Sequence, residues 1–199
     1  MGIPRLHIVD LDGAVQGEPG NMEIIRVLAK AILVPTQLGG GIRRIETIEQ
    51  LLKAGIDRVI LGTTAVEDPK LVKEACIRWG QSIVVSIDTR DGWVTTRGWQ
   101  QETRLRGVDL AKSMAELGVK RFIHTDTGRG STLTEPNFSA ISELIQETRL
   151  PVIASGGVSS LIHLKMLKQL GAEGAIVGKA LYTGAINLKQ ALEAANGGN

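Results

Sequence analysis

Two acidic residues stand at the ends of apolar runs: Asp88 closes the run from Ile83, and Asp126 follows the run from Arg121 to Thr125. Carboxylates held at such ends suit proton transfer to and from a bound substrate. An Asp after a strand also caps the helix that follows, so each has a structural reading beside the chemical one, and Asp10 and Asp12 invite the capping reading most. Four glycine turns add a second kind of chemistry: Gly39 to Gly41 with Arg43, Gly62 with Thr63, Ser155 with Gly156 and Gly157, and Gly178 with Lys179. Backbone N–H groups at such turns bind phosphate, although glycine there also serves simply to let the chain turn tightly. Trp99 follows Gly98 in a segment long enough to fold over a site and stack on a planar group. An indole in that place equally covers an apolar surface.

The glycine turns are duplicated. Written over itself with an offset of 116, residues 5 to 66 fall on 121 to 182 without a gap. Pro35 meets Pro151, Gly40 and Gly41 meet Gly156 and Gly157, Gly55 meets Gly171, and Gly62 meets Gly178. Asp10 also meets Asp126, and Asn21 meets Asn137. Coincidence of glycines at turns reflects backbone constraint, so we read the chain as a tandem duplication. The run from Ile83 to Asp88 has no mate, because its counterpart would fall before Met1. The repeat therefore predicts strands two to eight of an eight-fold series.

Seven short apolar runs are strand candidates: Leu6 to Asp10, Pro35 to Leu38, Arg58 to Leu61, Ile83 to Asp88, Arg121 to Thr125, Pro151 to Ala154 and Gly174 to Val177. Their near-continuous apolar character predicts parallel strands covered on both faces. Between them, Ile45, Ile48, Leu51 and Leu52, and later Leu161, Leu164, Leu167 and Leu170, recur at helical spacing. Each of these helices runs into a glycine, Gly55 or Gly171, placed for a left-handed cap. A doubly wound sheet shares this order of elements. The internal duplication and the glycine turns after several strands favour a (β/α)8 barrel of two half-barrels, here incomplete, over residues 1–199 as one domain. Sites in such barrels lie at the C-terminal ends of the strands, where all the residues above fall.

Composition narrows the partners. A net charge of +2 with dispersed Lys and Arg gives no footprint for nucleic acid or an anionic membrane, and 3% aromatic content leaves few stacking platforms. The single Cys76 excludes an internal disulfide and, in the apolar series of a helix, reads as a core residue; the chain fits a reducing cytoplasm. No signal-like opening and no run of 18 apolar residues is present. No ligand spacing indicates a metal, no GxGxxG turn indicates a dinucleotide, and His7 and His124, inside strand runs, are expected to pack.

Together, HIVDLDGA (7–14), QLGGGIR (37–43), ILGT (60–63), SIDT (86–89), Gly98-Trp99, Thr132-Leu133, Pro136-Asn137, IASGGV (153–158) and IVGKALY (176–182) are specific. The chain resembles, over its whole length, the cytoplasmic isomerase family of histidine biosynthesis, which converts a phosphoribosylformimino aminoimidazole carboxamide ribotide from aldose to ketose. The resemblance implies a cofactor-free Amadori rearrangement of a bisphosphorylated substrate. By position Asp88 matches the family's proton donor, Thr125 and Asp126 its pair on the next strand, Trp99 the indole that stacks on the imidazole, and the two glycine systems its two phosphate sites. The related phosphoribosylanthranilate or dual-substrate isomerase is the second reading. A non-catalytic phosphate-binding remnant is the third, and the sister cyclase fits less well.

Two departures matter. The family's first strand, with an Asp that accepts a proton, would precede Met1, and the family's Arg-Asp-Gly-Thr reads Arg129-Gly-Ser-Thr132. A barrel lacking that strand has two unpaired edges, so the chain is expected to self-associate and to be poorly active unless the strand is supplied.

Overall fold

The structure is a computed structural model that describes residues 2–128 and 135–197. The motif residues Thr132 and Leu133 and the Arg129 to Thr132 departure lie outside the described residues. The strands are β1 (Leu6–Val9), β2 (Thr36–Gly39), β3 (Arg58–Leu61), β4 (Ile83–Arg90), β5 (Trp93–Thr96), β6 (Gln101–Arg106), β7 (Phe122–Asp126), β8 (Val152–Ser155) and β9 (Gly174–Ile176). The helices are α1 (Leu11–Gln16), α2 (Met22–Ala31), α3 (Ile45–Ala54), α4 (Thr63–Glu67), α5 (Pro69–Trp79), α6 (Gly107–Glu116), α7 (Phe138–Thr148), α8 (Leu161–Gln169), α9 (Lys179–Tyr182) and α10 (Leu188–Asn196). Seven strands run parallel in the order β1-β2-β3-β4-β7-β8-β9 and curl into a nearly closed barrel. All seven expected strands are present, within two residues of their expected ends.

Period-two alternation divides the side chains between two cores. Ile60, Val84, Ile123 and Ile153, with Ile176 against them, form the small cluster inside the barrel. Leu38, Val59, Leu61, Val85, Ile87 and Phe122 face the helices and join the larger core. Helices present apolar stripes to that outer face: Ile48 and Leu51 of α3 are fully buried. Gly55, at φ 107°, then ends α3 by returning its N–H to Leu52, and Gly171, at φ 84°, does the same to Lys168 after α8. Cys76 sits in the outer core, and burial pushes its thiol pKa up, as befits an inert packing residue.

The duplication is visible in the bonds. Leu6 N–H donates to Pro35 O at 2.9 Å, and Phe122 N–H to Pro151 O at 2.9 Å. Asp57 N–H donates to Thr36 O, as Glu173 N–H does to Val152 O. At the foot of the barrel Arg5 pairs with Asp57, and the mates Arg121 and Glu173 pair likewise. Residues that match only by the offset thus occupy the same places in the two halves.

Two features went beyond the sequence reading. β4 continues to Arg90 and turns at Asp91-Gly92, both with positive φ, into an antiparallel β5–β6 hairpin where a loop was expected. Asp-Gly with two positive φ angles is the two-residue hairpin turn. Among the described residues, β1 pairs only with β2 and β9 only with β8, so the sheet keeps a seam. Exposed apolar side chains lie on the elements that follow its two edge strands and on α8: Leu11, Val15, Ile24, Val27, Ile162 and Tyr182. No helix among the described residues is long and apolar enough to cross a membrane.

Candidate active site

A cavity of about 530 Å³ opens at the C-terminal ends of the parallel strands. Its wall contains Gly40, Gly41, Arg43, Gly62, Thr63, Asp88, Trp99, Thr125, Ser155, Gly156, Gly157, Gly178 and Lys179. Of the sequence-derived site residues, only Asp126 does not line it. The cause is parity. Asp88 is in register with Thr125, and Thr89 with Asp126, so Asp126 lies on the face that carries Phe122 and His124. Its carboxylate is buried and accepts from Asn137 Nδ2 at 2.7 Å and Gly128 N–H at 3.0 Å.

Asp10, the repeat mate, is bound in the same manner. Oδ1 accepts from Gly13 N–H at 3.0 Å and from Asn21 Nδ2 at 2.8 Å, which caps α1 and fastens the loop before α2. Burial would raise the Asp10 pKa, but the donors from Gly13, Asn21 and Gly20 outweigh it and leave the carboxyl below its ordinary value. Both Asp–Asn clamps brace loops behind the glycine turns. Gly40, at φ 114°, packs against the Asp10 carbonyl where any Cβ would overlap it, and Gly156, at φ 86°, has the Asp126 carbonyl 3.2 Å from its hypothetical Cβ. Gly62 and Gly178 share a further backbone shape, φ near −104° and −108°, ahead of α4 and α9. These two rims face the cavity from opposite halves of the repeat.

Asp88 holds the centre. Ser86, two residues earlier on β4, donates its hydroxyl to Asp88 Oδ1 at 2.6 Å. Trp99 donates its indole N–H to Oδ2 at 2.9 Å from the tip of the hairpin. That tip is anchored by Arg97 N–H to Thr63 Oγ1 at 2.9 Å and by the Arg97–Glu67 ion pair. Trp99 is 44% exposed and has φ 68°, an uncommon backbone state for a bulky residue.

The histidines divide. His124 packs as expected: it is buried, pairs with Thr89 Oγ1 at 3.1 Å, and burial drives its pKa down to about 4 against the raising charges of Asp88 and Asp126. His7 does not only pack; it lines the cavity, with Nδ1 3.1 Å from Gln37 Nε2. Burial lowers the His7 pKa, and the nearby Asp88 charge opposes the fall. His7 and Ser86 were missed as cavity residues because the strand runs show which residues are in a strand, not which face each takes. Their parity with Val9 and Asp88 was the available signal.

A parallel β/α barrel with a carboxylate framed by two duplicated glycine rims defines the class to which these features point. The chain belongs to the histidine biosynthesis protein family, whose description matches residues 1–187. A relative from Dehalococcoides mccartyi (strain 195) is 60% identical over 193 residues, 97% of this chain and 81% of the relative. Relatives from Roseiflexus castenholzii and Crocosphaera subtropica are each 48% identical, over 97% and 99% of this chain and 81% and 78% of their own lengths. All three are named 1-(5-phosphoribosyl)-5-((5-phosphoribosylamino)methylideneamino) imidazole-4-carboxamide isomerase.

Proposed function

We propose that this chain carries the aldose-to-ketose isomerisation of the bisphosphorylated imidazole carboxamide ribotide for which its relatives are named. The observation that carries the reading is Asp88, a strand-end carboxylate facing a cavity whose opposite rims are repeat-related glycine turns. In this reading one rim, Gly40, Gly41, Gly62 and Thr63, holds one phosphate, and the other, Ser155, Gly156, Gly157, Gly178 and Lys179, holds the second. A substrate with a phosphate at each end then spans the mouth and brings its aminoaldose past Asp88.

Asp88 donates a proton to the ribose ring oxygen, which opens the ring to the protonated imine; loss of the C2′ proton gives the enaminol, and its relaxation gives the ketose. Trp99 stacks on the imidazole, Thr125 and Arg43 contact the substrate, and Asp126 acts through Asn137 on the loop that follows β7. In this reading the base that takes the C2′ proton is the repeat mate of Asp88, supplied by a strand filling the β1–β9 seam, as the family resemblance implies. The same open edges make self-association the expected state of the chain alone.

The test is turnover of the aldose substrate by the purified chain, alone and with a strand-and-helix segment joined ahead of β1, with phosphoribosylanthranilate assayed in parallel. Conversion of the imidazole substrate by the joined form supports the reading. Phosphate binding without turnover in either form contradicts it, and conversion of both substrates assigns a dual-substrate enzyme.

A further inference from the structure

The two oxygens of Asp88 are treated differently by the protein. Oδ1 accepts from Ser86, which belongs to the same strand and points to the same face because it lies two residues away. At 2.6 Å this is in the range of a short, charge-assisted O–H···O bond, and both partners ride on the part of β4 that pairs with β7, Ser86 beside Ile123 and Asp88 beside Thr125. Oδ2 accepts from Trp99, on a hairpin tip whose residues Arg97, Gly98 and Trp99 all have positive φ. Trp99 is exposed enough for a planar ligand in the cavity to offer it more burial than it has now. One donor is built into the barrel wall and the other stands on the tip of a hairpin outside it.

We propose that Ser86 is the positioning residue for Asp88: its hydroxyl fixes Oδ1 so that Oδ2, the oxygen that accepts from the Trp99 indole, is the one that exchanges a proton with the ligand. In the isomerase reading the imidazole of the substrate takes the indole as a stacking partner and so uncovers Oδ2. The transfer balances with a proton from solvent: once uncovered, Oδ2 takes a proton from water, passes it to the ligand oxygen, and the carboxylate left behind keeps its Ser86 bond at Oδ1. The step rests on the isomerase reading above; the positioning role of Ser86 does not.

Two measurements test it. In 15N-labelled protein, with the Trp99 indole signal assigned through Trp99→Phe, Ser86→Ala frees the Asp88 carboxylate to rotate. The indole N–H signal then moves toward its solvent-exposed position and exchanges about tenfold faster, while Ser86→Thr, which keeps the hydroxyl, restores both. An unchanged indole signal in a folded Ser86→Ala protein overturns the proposal. In turnover, Ser86→Ala lowers kcat about 10- to 100-fold with KM within about twofold, and has no further effect in an Asp88→Asn background. Equal losses in both backgrounds also overturn it. Absence of turnover even in the protein joined to a strand-and-helix segment ahead of β1 counts against the isomerase reading, and the indole experiment then decides the role of Ser86 by itself.

Discussion

Acid should destabilise this fold through His124, and the size of the effect follows from its burial. The imidazole is held neutral inside the outer core, with its pKa at about 4 against an ordinary 6.5. Between these two values the unfolded chain binds a proton that the folded chain does not, so stability falls as pH drops through that window and levels off below it. The gap, at about 1.4 kcal/mol per pH unit, corresponds to about 3 kcal/mol for a fully buried group. His7, also lowered by burial, acts in the same direction, whereas the lowered Asp10 carboxyl contributes only at more acidic pH. The perturbation is His124→Gln, which retains a polar partner for Thr89 and removes the titration. Urea unfolding of both proteins at about pH 7.5 and about pH 4.5 supplies the comparison. The parent protein should lose about 2–3 kcal/mol more than the variant between these conditions. Equal losses would refute the reasoning, because they would mean that His124 takes up its proton in the folded protein as readily as in the unfolded one.

Further outcomes follow from the repeat and the seam. Gly40→Ala should cost about 3 kcal/mol or more by combining positive-φ strain with overlap of the Asp10 carbonyl, whereas its mate Gly156→Ala, with room for a small shift, should cost about 1–2 kcal/mol; thermal or urea unfolding ranks the pair. Asn137→Ala removes a donor from the buried Asp126 carboxylate and should destabilise by about 2 kcal/mol, and Asn21→Ala, which removes the matching donor from the equally buried Asp10, should cost about as much; urea unfolding of the two variants makes the comparison. Sedimentation velocity of the chain alone should show concentration-dependent association, abolished when a strand-and-helix segment is joined ahead of β1; a monomer at all concentrations would refute the role given to the edges.

The parallel strands were legible because each is a short, nearly unbroken apolar run, the signature of burial on both faces. Duplication was legible because Gly40, Gly41, Gly156 and Gly157 all occupy positive φ, a state that few other residues tolerate. The β5–β6 hairpin was not read, since Gln101–Arg106 is polar and mostly exposed and so lacks the apolar pattern of the barrel strands. Asp91-Gly92, the turn from β4 into β5, was the available signal that an antiparallel strand follows. Facing was the deeper loss: Asp88 and Asp126 look equivalent as strand ends, yet the β4–β7 register sets Thr125, not Asp126, beside Asp88. Single-strand periodicity fixes alternation only; which set points inward is decided by pairing between strands far apart in sequence. His7 and Ser86 entered the cavity wall by that same rule.

The central claim is that Asp88 moves the proton in an aldose-to-ketose isomerisation. Its most direct test is single-turnover conversion of the aldose ribotide by the chain joined to a strand-and-helix segment ahead of β1, beside the same protein with Asp88→Asn. The account predicts conversion by the first and a loss of at least about 10³-fold in rate for the second, with binding of the substrate retained. Conversion by the Asp88→Asn protein within about tenfold of the parent would contradict it.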